Sequence, residues 1–175
     1  MAKTYEILEA LPTSGPMYIP VTEDGDPYYS TGFVVRFFKL DGTNWVANFR
    51  PGIIGLSSVF ELPYTRNILV ISNGLCYLMD PGQTEPISVF GGQFLKSYET
   101  QDGKIILEDY TRFTIVEKDG SHWHTERISW DGFDEVKIEG DVISGLSYRP
   151  TDGYSSWHSF SYNIYSRVRT GGAYP

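Results

Sequence analysis

A recurring turn constrains the fold of this chain more than any other feature. The turn occurs at Asp41-Gly42, Asp80-Pro81-Gly82, Asp119-Gly120 and Asp152-Gly153, and the aspartates are spaced 39, 39 and 33 residues apart. Each copy follows an apolar or aromatic run. Asp-Gly pairs readily supply the positive φ angles that tight hairpin turns need. The spacing therefore predicts one β-unit repeated about four times.

Side chains along most of the chain alternate in character at every step, which is typical of strands and not of helices. We expect strands before the turns at 33–40, 75–79, 112–118 and 143–149, and after them at 44–50, 86–90, 122–130 and 157–164. Further strands are expected upstream at 67–72, 104–109 and 134–139. The predicted class is all-β, built from about four antiparallel hairpin units.

Repeated antiparallel units of this length favour a propeller-like closed arrangement. In that arrangement the terminal segments, residues 5–9 and 168–174, would complete one unit together and protect its edges. A meandering sandwich or barrel is the alternative. Hydrophobic residues make up 41% of the chain, which is enough to fill a core. With no linker in the sequence, residues 1–175 are predicted to form a single domain.

The charge balance limits the classes of partner. The formal net charge is −8, and the basic residues are scattered singly. Nucleic acids and anionic membranes are therefore not expected as partners, because binding them needs clustered Lys and Arg. The expected partner is a protein or a small ligand; the acidity serves solubility or, alternatively, attraction of a basic partner. The single cysteine, Cys76, rules out an intramolecular disulfide, and no apolar stretch approaches the roughly 20 residues of a membrane span. The predicted compartment is the cytoplasm.

One segment carries residues suited to metal chemistry. In the predicted strand after Gly120, the side chains of His122, His124 and Glu126 alternate and would project from one face. Two imidazoles and a carboxylate could hold zinc or iron, with His158 as a further ligand. The alternative is that both histidines lie on the solvent face of a hairpin, with Trp123 pointing inward.

This histidine spacing resembles that of the cupin barrels, which bind a metal through two histidines two residues apart, a carboxylate and a later histidine. The resemblance covers about 45 residues and extends to Gly145, Pro150, Gly153, His158 and Asn163. It implies a metal-dependent barrel. The carboxylate departs from the cupin pattern, since Glu126 follows His124 by only two residues.

Aromatic residues concentrate in the final third of the chain and suggest a binding surface. Trp130 lies beside a tight turn, outside the tryptophan pattern, and Tyr154 and Trp157 lie in a tract of small polar and aromatic residues that we predict to be a recognition loop. Trp45, Trp123 and Trp157 each follow a recurring turn, which alternatively predicts that they pack in the core.

Two functions of different class follow. The first is a non-enzymatic intracellular binding protein that presents Trp130, Tyr154 and Trp157 from a β-scaffold to a protein or small ligand. The second is a metal-dependent, cupin-like enzyme or metal-binding barrel that uses His122, His124, Glu126 and His158. No glycine-rich phosphate loop or dinucleotide fingerprint occurs. A metal ion is therefore the one cofactor that the sequence suggests.

Overall fold

A computed structural model describes residues 3–15, 17–151 and 154–175, without the side chains of residues 154 and 155. Within these residues, sixteen β-strands form four four-stranded sheets. The strands are β1 (Tyr5–Leu8), β2 (Ile19–Val21), β3 (Phe33–Phe38), β4 (Asn44–Phe49), β5 (Ser58–Glu61), β6 (Ile68–Ser72), β7 (Leu75–Met79), β8 (Ser88–Gly91), β9 (Lys96–Glu99), β10 (Ile105–Glu108), β11 (Phe113–Val116), β12 (His122–His124), β13 (Phe133–Glu139), β14 (Val142–Thr151), β15 (Tyr154–Asn163) and β16 (Val168–Gly171). In the described ranges, no helix has the length and apolar character needed to cross a membrane.

The prediction of an all-β fold with a repeated unit is confirmed. The last three sheets are antiparallel meanders of four consecutive strands, and the first sheet has the order β1-β3-β4-β2 with β2 parallel to β4. The structure divides into two compact units, Met1–Gln93 and Phe94–Pro175. Each unit contains two sheets. Closure of the four sheets into a ring, and a single domain over residues 1–175, stay predictions.

The first unit has its own hydrophobic core between strands of its two sheets. Buried side chains of β3 and β4 pack with those of β6 and β7. The rings form a chain of contacts in the order Trp45, Phe37, Phe49 and Tyr77, with successive centroids 5.0 to 6.1 Å apart. Strands β6 and β7 are buried on both faces, which explains their continuous apolar sequence.

The second unit has a comparable core of buried apolar residues. Phe113 lies at its centre, with ring centroids 4.6 Å from Phe133 and 5.8 Å from Phe160. Ile143 and Tyr162 extend this cluster along β14 and β15. Strand β15 therefore carries two core residues, and its other face is free for a different role.

The aspartates of the recurring turn share one local function. Asp41, Asp80 and Asp119 each accept a hydrogen bond from the backbone N–H two residues later, which fixes the turn. The turns occupy different places in their sheets, however. Asp41-Gly42 joins the two inner strands of the first sheet, whereas the next two turns lead to the edge strands β8 and β12. Asp152-Gly153 lies outside the described residues.

The predicted pairing of the terminal segments is wrong. β1 is hydrogen-bonded to β3 at the edge of the first sheet, whereas β16 is hydrogen-bonded to β15 at the edge of the fourth. The two segments therefore belong to different sheets. β1 covers the edge of β3, and β16 covers the edge of β15.

Candidate functional site

The longest hairpin of the second unit extends past its neighbouring strands. β14 and β15 are ten residues each and pair from Val142↔Asn163 to Thr151↔Tyr154. β13 pairs with β14 only as far as Ser147, and β16 pairs with β15 only as far as Phe160. The pairs beyond Ser147, residues 148–151 with 154–157, therefore form a hairpin arm. Most backbone groups on its outer edges have no adjacent strand in the sheet.

Trp157 and Tyr148 lie opposite each other at the base of the hairpin arm. Their ring centroids are 5.1 Å apart, and Trp157 is 47% exposed. Because side chains alternate along a strand, these rings lie on the opposite face from Ser147 and His158, which share the core-facing side with Phe160. Trp157 thus projects away from the core of the second unit.

Trp130 belongs to a second aromatic cluster, in which an arginine contacts two neighbouring rings. The Arg127 guanidinium lies 5.2 Å from the Trp130 ring centroid and 4.5 Å from that of Tyr174, and the two rings are 4.9 Å apart. Arg127 also donates to the carbonyl oxygens of Ser129 and Trp130. Trp130 remains 39% exposed. Cation–π contacts and hydrogen bonds together fix the indole before any ligand arrives.

Hydrogen bonds connect the Trp130 loop to the base of the hairpin arm. The backbone N–H of Trp130 donates to the Tyr148 carbonyl at 3.0 Å. The buried Ser129 hydroxyl accepts from the Tyr148 N–H at 3.0 Å, and it lies 2.5 Å from the carbonyl of Gly132. The backbone of Tyr148 therefore connects the two clusters, although no ring of one contacts a ring of the other among the described residues. We call the five side chains the aromatic surface: Arg127, Trp130, Tyr148, Trp157 and Tyr174.

Arg169 holds the C-terminal part of this surface. Its Nη1 donates to the carbonyl of Arg127 at 2.9 Å and to that of Tyr174 at 3.0 Å. The Tyr174 N–H donates to the Ile128 carbonyl. The sequence did not single out Arg127 or Tyr174, because the contact joins segments 47 residues apart and no local pattern records it.

The tract around Tyr154 forms a strand and not the predicted loop. Residues 154–158 begin β15, and Tyr154 pairs through its backbone with Thr151. The Tyr154 side chain lies outside the described residues, so its role in binding stays a prediction. His158 is also in this strand, where its Nε2 is 2.9 Å from the Ser156 hydroxyl.

The predicted metal ligands are only partly brought together. The rings of His122 and His124 are neighbours on β12, with centroids 5.9 Å apart, and Nδ1 of His124 is 2.7 Å from the Thr114 hydroxyl. β12 ends at His124, so the predicted strand over 122–130 is wrong beyond that point. The alternation that would align Glu126 therefore does not continue.

Glu126 has a different neighbour. Its exposed carboxylate lies 3.7 Å from Nε of Arg169. Across the described residues, no three His, Cys, Asp or Glu side chains form a group that could hold a metal ion. The metal site of His122, His124, Glu126 and His158 stays a prediction to which the described geometry gives no support.

The partly buried His122 predicts a pH-dependent stability. Burial, with a further contribution from the charge on His124, holds the pKa of His122 below its ordinary value of 6.5. Unfolding restores the ordinary pKa, so the unfolded chain binds more protons between the two values. The contribution of His122 to stability is therefore fully present above pH 6.5 and is lost as the pH falls to the folded-state pKa.

Urea unfolding at about pH 8 and about pH 5 measures this effect. The wild-type protein is expected to lose more stability between the two pH values than His122→Gln, which cannot be protonated. Both proteins share the remaining titrating groups, so the difference isolates His122. Equal losses in the two proteins would contradict the prediction.

Comparison with protein-family models, curated proteins and solved structures gave no match to this chain. Function is therefore inferred from the geometry of the chain itself. Within the described residues, the aromatic surface combines exposure, rigid support and connection to a projecting hairpin.

Proposed function

We propose that this chain is a non-enzymatic binding protein that docks a protein partner through the aromatic surface. The observation that carries the proposal is the position of Trp157, which is 47% exposed on the face of β15 opposite the core. Burying this ring would cost the folded protein little entropy, because the strand already fixes its backbone. Tryptophan, tyrosine and arginine are the residues most enriched among energetic hot spots of interfaces.

The surroundings of Trp157 suit a protein better than a small molecule. The two aromatic clusters are separate sets of rings that are connected through the backbone of Tyr148, so a ligand that contacts both must be extended. The hairpin arm also offers strand edges beyond the ends of β13 and β16. An extended partner segment could pair with such an edge, with its side chains contacting the rings.

The net charge of −8 favours a basic partner, because opposite charges increase the rate of encounter.

We further propose the cytoplasm as the compartment of this protein. Cys76 is buried, and burial raises its thiol pKa well above the ordinary value. A thiol in this state is a poor nucleophile, so the cysteine supports structure and not chemistry.

Affinity capture with single variants tests this proposal. Immobilised wild-type protein, Trp130→Ser and Trp157→Ser would be exposed to an extract of the producing cells, and retained proteins compared by quantitative mass spectrometry. Tyr29→Ser is the matched control, since Tyr29 is 80% exposed in the first unit. The expected result is a partner that the wild type and Tyr29→Ser retain, and that both tryptophan variants bind about tenfold or more weakly.

Circular dichroism of all four proteins shows whether each variant is folded. Trp157→Ser should lower the free energy of unfolding by only about 1 kcal/mol, because the half-exposed ring loses little beyond its contact with Tyr148. Identical sets of retained proteins for the wild type and both folded tryptophan variants would refute the proposal.

A further inference from the structure

A groove in the first unit is independent of the aromatic surface. It lies among the β3–β4 turn, the β5–β6 loop and the β7–β8 turn, and consists of two adjoining cavities of about 330 and 410 Å³. The two cavities have five lining residues in common, which we call the turn groove: Phe38, Lys39, Leu40, Arg66 and Asn67.

Three side chains of the turn groove are hydrogen-bond donors. In the part of the chain that the structure describes, the Arg66 guanidinium and the side-chain amide of Asn67 take part in no hydrogen bond or ion pair. Lys39 has no carboxylate within salt-bridge distance among the same residues. Guanidinium and ammonium groups in this state are available to an anion.

Three carboxylates also line the cavities, Glu61 in one and Asp41 and Asp80 in the other, and each accepts a hydrogen bond from a residue outside the turn groove. The Thr4 hydroxyl donates to Glu61, the backbone N–H of Gly82 donates to Asp80, and Thr43 donates to Asp41 through both its hydroxyl and its backbone N–H. The Thr43 bonds hold the pKa of Asp41 below its ordinary value. The groove thus presents free cationic donors in a protein of net charge −8.

The groove also has apolar side chains, and hydrogen bonds hold the turns that form it. Leu40 is 81% exposed beside the partly buried Phe38. The indole N–H of the buried Trp45 donates to the Pro81 carbonyl at 2.9 Å, which holds the β7–β8 turn. The Asn67 carbonyl accepts from the Leu62 N–H at 3.1 Å, which closes the β5–β6 loop. A ligand would therefore meet a formed site.

We propose that the turn groove binds the C-terminal carboxylate of a peptide that ends in an apolar residue. A planar guanidinium matches a carboxylate through two parallel hydrogen bonds, and the Asn67 amide and Lys39 ammonium supply further donors. Leu40 and Phe38 contact the terminal side chain. The apolar side chains of Phe38 and Leu40 line the same cavities as the donors, which favours this ligand over a bare oxyanion.

A titration followed by NMR tests the proposal with the full chain. The probe is acetyl-Ala-Ala-Leu with a free carboxylate, compared with the same peptide ending in an amide and with inorganic phosphate. The free acid should shift backbone resonances of Lys39, Arg66 and Asn67 in a saturable manner. The amide should bind about tenfold or more weakly, because it lacks the charge that strengthens these hydrogen bonds.

Arg66→Gln and Lys39→Gln should each weaken the binding of the free acid about tenfold. Lys137→Gln removes the same charge from an exposed strand residue of the second unit and should bind like the wild type. Both groove residues lie outside the buried core, so the variants are expected to fold. Absence of saturable binding, or equal binding of acid and amide, would overturn the proposal. Competition by phosphate with equal affinity would also overturn it, as a site for any oxyanion.

Discussion

Replacing Trp45 by alanine is expected to lower the free energy of unfolding by about 3–5 kcal/mol. Trp45 is buried in the core of the first unit, where its ring lies 5.0 Å from that of Phe37. Its removal leaves a cavity between well-packed strands. The Pro81 carbonyl also loses the indole N–H that now donates to it, and a buried acceptor without a donor adds to the cost.

Urea unfolding followed by far-ultraviolet circular dichroism measures this loss without depending on tryptophan fluorescence. Trp45→Phe is the control, since it keeps an aromatic ring in the core and removes the hydrogen bond. It should retain more stability than Trp45→Ala. A loss below about 1 kcal/mol for Trp45→Ala would show that the ring does not support the core as described.

Phe113→Ala should be similarly damaging in the second unit, with a loss of about 3–5 kcal/mol. Phe113 is fully buried and packs against both Phe133 and Phe160. It therefore joins β11 to the sheet that carries the hairpin arm. Because Phe160 lies in the same strand as Trp157, we also expect weaker binding of the partner.

Phe113→Leu separates the effect of volume from that of hydrophobicity. It keeps much of the buried apolar surface, so the expected loss is below about 1.5 kcal/mol. The two variants are compared by urea unfolding under the same conditions. Equal stability of Phe113→Ala and the wild type would contradict the packing of this core.

The turns and the strands beside them were predictable because both signals are local. In three of the turns the aspartate carboxylate accepts a hydrogen bond from the backbone N–H two residues later, at Asp41, Asp80 and Asp119. Apolar runs mark the flanking strands. β2, β5 and β9 are not predicted. β9 has the sequence KSYE with no buried residue, so its hydrophobic pattern is weak, and its membership of a sheet depends on pairing with β10.

The tryptophans show how one residue of offset changes a prediction. Trp45 and Trp123 follow their turn aspartates by four residues, whereas Trp157 follows Asp152 by five. Since side chains alternate along a strand, a shift of one residue moves a ring to the opposite face. Trp45 is accordingly buried and Trp157 exposed. The sequence contained this difference, but the pattern of a tryptophan after each turn concealed it.

Contacts between distant segments could not be predicted. The Arg127–Tyr174 contact and the placement of β1 and β16 in separate sheets depend on tertiary pairing. The predicted metal set required Glu126 to continue a strand that ends at His124. Strand ends are set by hydrogen bonding to a neighbour, and β12 pairs with β11 over three residues only.

Hydrogen–deuterium exchange of the protein alone and saturated with its captured partner tests the central claim, that the aromatic surface is the docking site. Backbone amides of the hairpin arm, residues 148–151 and 154–157 except Pro150, should exchange more slowly in the complex, together with those of the loop after Ser129. Unchanged exchange in both segments, with protection at another surface, would contradict the claim.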